Sequence, residues 1–408
     1  MRKWILTVSL VSGLVTSEAM ANGYKILGVK SAKATAMGEA FAVQADDPSA
    51  IAFNPAGISQ LQSNQVQAHV TLCNAYATRT SPSGEKSHNE DQWQPVPSFF
   101  ATTELKKDVT AGLGLSFPNG LSSTWPDDGF ARYVATYSDL VVADLSPAIG
   151  VKVTDHLRLG AAADYYYSQA KLEHMMDMGM LYGAPGKMDT KSTMEGSGST
   201  WGYNVGAIYE INRQHAVALT YRAPYTINYD GDLSMGGQNL DLSTAIDFPA
   251  VVVAGYAWRP TNKWKFEFNL DWTDWEQTGD ITLHFKTPGI PDATQTQGLE
   301  NTLAYKLGTE YLYSEKLALR MGYIYNENAT PEENWRPSLL DTDVQFITAG
   351  FGYQLANWTI DTALQLVFYK ERTINNNVDG NETTSSSSID GTYKAFAPCV
   401  SLAATYRF

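Results

Sequence analysis

Trp264-Lys265-Phe266-Glu267-Phe268-Asn269-Leu270-Asp271-Trp272 places a large apolar side chain at every even position and a polar or charged one at every odd position. A β-strand sends successive side chains to opposite faces, so this stretch is a strand with one greasy face and one wet face. The pattern recurs. Leu157, Leu159, Ala161, Ala163, Tyr165 and Tyr167 alternate with Arg158, Gly160, Ala162, Asp164, Tyr166 and Ser168. Leu317, Leu319, Met321, Tyr323 and Tyr325 do the same, and in Trp358–Leu366 Asp361 and Gln365 lie opposite Ile360, Leu364 and Leu366. Soluble sandwiches also alternate, so the connections must decide. Short polar turns fall near residues 106–108, 154–156, 212–214, 260–263, 314–316 and 356–357. Long loops fall near 81–91, 118–138, 180–197, 230–246, 286–298, 328–342 and 373–390. Short turns alternating with long loops, joined by strands of about ten residues, describe an outer-membrane barrel. These connections predict an all-β, antiparallel transmembrane barrel of about 14 strands with both termini on the periplasmic side.

Composition agrees. Only 18% of the 408 residues are charged, where a soluble chain carries about a quarter. A net charge of −14 argues against a nucleic-acid partner. No run reaches the 18 or so apolar residues of a membrane helix. Neither of the two cysteines sits in a zinc-ligand spacing, and no metal or cofactor is expected. Arg2-Lys3, the apolar stretch Trp4–Val15 and Ala19-Met20-Ala21 have the layout of a signal peptide covering residues 1–21. The C-terminus alternates Phe396, Val400, Leu402, Tyr406 and Phe408 against smaller or polar residues, and so edge apolar a strand calls for closure.

Residues 22–62 do not alternate. They are rich in Ala, Gly and Ser and precede the first strand of a barrel spanning residues 63–408, so they are placed to fold into the lumen as a plug. Within them Ala36-Met37-Gly38, Asp46-Asp47 and above all Asn54-Pro55-Ala56 resemble the N-terminal hatch of the FadL/TodX family of outer-membrane transporters for hydrophobic compounds. A second block, Pro97-Ser98-Phe99, Gly112-Leu113-Gly114, Phe117–Ser122, Trp125 and Arg132-Tyr133, is similar to the same family. The resemblance implies a plugged fourteen-stranded barrel that passes fatty acids or aromatic hydrocarbons sideways into the bilayer through a gap at a kinked third strand. It departs at one point, since Lys30 and Lys33 stand where the family usually has a Gly-rich stretch with an Arg.

The residues can be assigned to such a task. Apolar loop side chains suited to capture are Phe117, Leu121, Trp125, Phe130 and Tyr133, with Leu172, Met175, Met176, Met178, Met180, Leu181 and Tyr182 after the fifth strand; the methionines would equally serve to pack the loops. Gly112 and Gly114 in a third strand over 109–117, with Pro97 and Pro95 on the second, would weaken the wall where a lateral exit is needed, unless the glycines simply make room for the plug. Asn54-Pro55-Ala56 makes a rigid turn to brace the plug against the wall at that gap. Arg158 and Arg320, on the inward parity, are candidate contacts for an anionic substrate or members of ion pairs.

The expected function is passive uptake of hydrophobic small molecules by an outer-membrane monomer in contact with membrane lipids and lipopolysaccharide. A general or substrate-specific porin, or a lipid-modifying enzyme, is the alternative. None of the six histidines belongs to an HExxH or accompanies a GxSxG element. Cys73 and Cys399 sit at similar heights on strands that meet at the barrel seam, both on the inward parity. An oxidising envelope permits a bridge, but the stagger of barrel strands and Pro398 act against it, so two free lumenal thiols are expected.

Overall fold

The computed structural model describes residues 23–90, 92–179, 186–376, 378 and 388–408. The expected signal peptide, 1–21, and Met180, Leu181 and Tyr182 lie outside the described residues.

Fourteen antiparallel strands form the wall: β1 (Gln65–Cys73), β2 (Gln94–Lys106), β3 (Val109–Thr124), β4 (Tyr137–Lys152), β5 (Leu157–Asp177), β6 (Asp189–Glu210), β7 (His215–Arg222), β8 (Ala250–Trp258), β9 (Trp264–Asp274), β10 (Thr302–Leu312), β11 (Leu317–Asn326), β12 (Val344–Leu355), β13 (Trp358–Tyr369) and β14 (Gly391–Arg407). Each pairs with the next, and β14 closes on β1. The alternation sorts as expected. On β9, Phe268 is 42% and Trp272 37% exposed on the outside, while Glu267, Asn269 and Asp271 are buried in the lumen. Exposed Tyr209, Trp258, Trp264, Tyr313, Trp358 and Phe408 flank the short turns as an aromatic girdle.

Several stretches read as loops are strand. Tyr225–Met235 and Gln238–Phe248 form a hairpin that prolongs β7 and β8 beyond Pro224 and Pro249, turning at Gly236-Gly237 with both φ positive. The third strand runs to Thr124 rather than Phe117, and β6 starts at Asp189 inside the expected 180–197 loop. Polar sequence misleads there, because a strand that clears the membrane keeps its ladder without needing an apolar face.

The plug fills the lumen. Ser31 caps α1 (Ala32–Ala36), α2 spans Ala50–Phe53, and a 3-10 turn follows over Pro55–Gln60. Its alanine-rich surface meets small wall residues such as Ala148, Ala162, Ala216 and Ala218 in one buried cluster, so backbone can approach backbone. The closest approach is at Asn54-Pro55-Ala56. The Asn54 amide donates to the Ala42 carbonyl at 2.7 Å, and its Oδ1 accepts from Ala56 N at 3.1 Å. The turn rests on a row of glycines, Gly150, Gly160 and Gly206, paired across β4, β5 and β6. A Cβ on Gly160 would lie 2.2 Å from Ala56 N. The motif therefore braces the plug against β4–β6, and not at the second and third strands, because only that glycine row admits its backbone.

Charge completes the docking. Glu267 of β9 accepts the amides of Val43 and Gln44, each at 2.8 Å, and Thr348 of β12 accepts Gly38 N at 3.1 Å. Lys306 of β10 bridges Glu39 of the plug at 3.0 Å and Asp271 of the wall at 2.7 Å. Each carboxylate is thereby held by hydrogen bonds or an opposite charge, as a buried charge requires.

At the seam the expectation of free thiols is overturned. Cys73 and Cys399 are directly opposed in the β1–β14 register, with Cα atoms 4.2 Å apart, and form a disulfide. The stagger is absorbed elsewhere, and Pro398 stays within the strand. Denatured without reductant, the protein should take up no maleimide, and after reduction two equivalents; labelling before reduction would contradict the bridge. For the plug, Gly160→Val should undock the Asn54-Pro55-Ala56 turn while leaving the wall intact. The expected readouts are ion conductance in planar bilayers and new tryptic cleavage at Lys25, Lys30 or Lys33, in a barrel whose heat-modifiable gel mobility is unchanged.

Candidate functional site

The ladder between β2 and β3 ends partway along both strands, and the wall parts there. β3 pairs with β2 as far as Leu115 opposite Phe99, whereas Pro95–Ser98 of β2, including Pro97 opposite Val70, are in ladder with β1 and no longer with β3. Just past that point the β3–β4 register shifts between Ser116 and Asn119, around Phe117-Pro118. Proline has no N–H to give and favours such a break. The edge of β3 that has left β2 is taken by the start of the plug: Ile26 N donates to the Pro118 carbonyl at 3.0 Å, and Gly120 N donates to the Tyr24 carbonyl at 2.8 Å. Gly112 and Gly114 are not the kink. Both remain in ladder with β2 and β4, and a Cβ on Gly112 would lie 2.7 Å from Ile51 Cδ1. They make room for the plug, and the bend comes from Phe117-Pro118.

Beside this opening, toward the long-loop end, lies a cavity of about 340 Å³. Tyr24 from the plug, Leu121 from β3, Leu140 from β4 and Tyr229, Leu242 and Ile246 from the projecting hairpin give it an apolar lining. Three charged residues border it, Asp139, Glu195 and Arg336. Arg336 sits on the β11–β12 loop between residues that are pinned. Trp335 Nε1 donates to the Asp341 carbonyl at 3.0 Å, and the Pro337 carbonyl accepts Trp125 Nε1 at 3.1 Å. The guanidinium Nε is buried without a partner among the described residues, and burial lowers its pKa from the usual arginine value. A cation held this way is a ready partner for an anionic head group.

The residues expected to capture ligand are divided by the fold. Leu121 and Leu172 line the cavity, and Phe117 stands at the kink in a buried cluster with Ile26, Val96 and the disulfide. Trp125 and Phe130 contact each other at 5.0 Å and share a buried cluster with Trp335 and Tyr393, so they pack the loops together. Tyr133 donates to Asp189 at 2.9 Å. Met175 and Met176 lie on β5 and Met178 just beyond it. None of the three lines the cavity, and their backbone bonds to Arg132 and Met188 knit the loops. Arg320 is occupied by Glu310 at 2.7 Å and Asp361 at 2.6 Å, while Arg158 lies 3.8 Å from Glu210 beside a short turn, so neither faces this cavity. Tyr24 and Arg336 escaped the sequence reading. The signal for Arg336 is its place in Trp335-Arg336-Pro337, a lone base between apolar residues in an otherwise acidic loop.

With this geometry established, comparison with known proteins is informative. The model of the family described as outer membrane protein transport protein (OMPP1/FadL/TodX) matches residues 12–408. The long-chain fatty acid transport protein of Salmonella typhi is 23% identical over 384 residues, 85% of this chain and 87% of that protein. Its counterpart in Escherichia coli K12 is 23% identical over 395 residues, again with 85% and 87% covered. Among solved structures, a FadL homologue from Pseudomonas aeruginosa superimposes with a TM-score of 0.80 at 19% identity, covering 95% of this chain and all of that one. The toluene transporter TbuX of Ralstonia pickettii gives 0.70 at 18% identity, covering 92% and 97%. A plugged fourteen-stranded barrel matched by the family model over nearly its whole length belongs to the OMPP1/FadL/TodX family of outer-membrane transport proteins.

Proposed function

We propose that this transporter takes up apolar molecules with a single anionic head, of the long-chain monocarboxylate type, and releases them sideways through the opening between β2 and β3. The observation that carries this reading is the apolar cavity bordered by Arg336, whose Nε has no partner among the described residues, beside the place where β3 leaves β2. An apolar chain gains about 25 cal/mol for each Å² withdrawn from water, so a lining of Leu, Ile and Tyr suffices for capture. Passage outward into the bilayer keeps the chain in apolar surroundings, whereas descent through the lumen meets the ion pairs that dock the plug. The relatives named for fatty acids and for toluene support both an acid and a neutral hydrocarbon; Arg336 favours the acid.

Binding measurements test the head group. Arg336→Gln should weaken oleate binding about tenfold, the loss expected for one charge-assisted hydrogen bond, and leave toluene binding unchanged. Equal loss of both ligands would remove the head-group role. Leu121→Asp with Leu242→Asp should weaken both. The route is tested by stapling the plug. A Cβ on Gly255 of β8 would lie 3.3 Å from the Ala42 Cβ, so Ala42→Cys with Gly255→Cys can bridge plug and wall away from the opening. Lateral release predicts undiminished oleate uptake by the oxidised variant, and exit by displacement of the plug predicts loss that reduction restores.

A further inference from the structure

Most of the basic side chains that the plug and the facing wall present to each other are already spoken for. Lys25 pairs with Asp271 at 3.2 Å, Lys33 with Asp46 at 2.6 Å, Lys265 with Glu310 at 2.8 Å, and Arg222 with Asp144 at 3.0 Å and Asp164 at 2.7 Å; Lys306 and Arg320 are bound as described. Lys30 is different. Among the described residues its ammonium makes no hydrogen bond and no ion pair, and it lies over the face of Phe53, 4.9 Å from the ring centroid. It borders a second cavity, of about 80 Å³, that reaches from Pro118 and Asn119 at the kink of β3 across to Arg222 and Tyr225. Tyr24, Tyr225 and Phe248 form an aromatic partition between this chamber and the larger one, with Tyr225 and Phe248 stacked at 4.8 Å and Tyr24 6.3 Å from Phe248. The chamber is large enough for a carboxylate, whose chain would extend from it toward the wall opening beside Pro118 and Asn119.

We propose that Lys30 holds the carboxylate of a passing amphiphile in the chamber behind the β3 kink, a second head-group station after Arg336. The inference rests on the uptake reading above. An ammonium drawn partly out of bulk water without a carboxylate costs stability, and the ring of Phe53 offsets only about 0.5–2 kcal/mol of it. A cation retained at that cost beside a cavity and the wall opening is placed for a transient anion. The chemistry favours release as well as capture. Burial draws the Lys30 pKa down to about 8, so the charge is present at neutral pH and is lost as pH rises through that value. The charged groups that share the chamber with it are Lys25 and Glu39 from the plug and Arg222, Asp271 and Lys306 from the wall; Glu39 favours its charge and the three cations oppose it.

The test uses the purified full chain with decanoate and 1-decanol, which share a chain and differ in the head. Titration calorimetry should find two decanoates per wild-type protein, one per Lys30→Met or Arg336→Gln variant, and no preference for decanoate over decanol in the double variant. Lys30→Arg should restore the second site. For the wild type, raising pH from 7 to 9 should weaken one of the two decanoate sites about tenfold, following the fraction of charged Lys30, and leave decanol unaffected. The Lys30→Met variant should lose that pH dependence. Wild-type stoichiometry and pH profile in Lys30→Met, with Arg336→Gln impaired, would overturn the Lys30 station and leave the capture cavity standing. Failure of the wild type to bind either decanoate or decanol would instead defeat the uptake reading. Should Lys30→Met not assemble, the wild-type pH profile decides alone, and a flat profile overturns the proposal.

Discussion

Hydrocarbon offers a polypeptide no hydrogen-bond partner, so every N–H and C=O of a membrane wall must be satisfied by the protein itself. Closure of β14 on β1 meets that demand around most of the circumference, and the disulfide at Cys73 and Cys399 makes the seam covalent. Where β2 and β3 part, the demand is not met by the wall. The plug meets it there, with Tyr24–Ile26 bonded to the freed edge of β3. An opening in such a wall thus requires a substitute strand, and the residue that supplies one bond, Tyr24, is also part of the lining of the large cavity. Opening, plug and large cavity are parts of one solution to one constraint.

The same logic governs the interior charges. A lumen filled by an alanine-rich plug is dry enough that charges must be paired, and the wall contributes Glu267, Asp271, Glu310, Asp361, Lys306 and Arg320 for that purpose. Docking by ion pairs and backbone amides, with glycine rows that let backbones touch, gives a plug that is specific in position while resting on few large apolar contacts. Against this background Arg336 above the aromatic partition and Lys30 below it, which make no ion pair among the described residues, stand out as chemistry that docking does not use.

Much of this was legible in the chain. Strand alternation is a local property, written residue by residue, and turn lengths are local too, so barrel, strand number and plug could be read without a structure. The Asn54-Pro55-Ala56 turn was likewise visible, since Asn–Pro chemistry is local, but its seat on Gly150, Gly160 and Gly206 was not, because those glycines are brought side by side only by the register of β4, β5 and β6. Gly112 and Gly114 show the converse. A glycine in a strand signals either a bend or a close neighbour, and only the position of Ile51 tells which.

What the sequence by itself determined is whatever depends on neighbours a few residues away: two faces per strand, short turns against long loops, and a plug of small residues. What only the tertiary structure decided depends on groups far apart in the chain meeting. Arg320 was a plausible ligand contact until Glu310 and Asp361 occupied it. Cys73 and Cys399 were two thiols until a shared register opposed them across 326 residues. Arg336 and Lys30 were ordinary basic residues until the fold set them beside the two chambers with no ion pair among the described residues. Pairing of charges and closure of cavities are long-range events, and a single sequence carries no distance between residues that are remote along it.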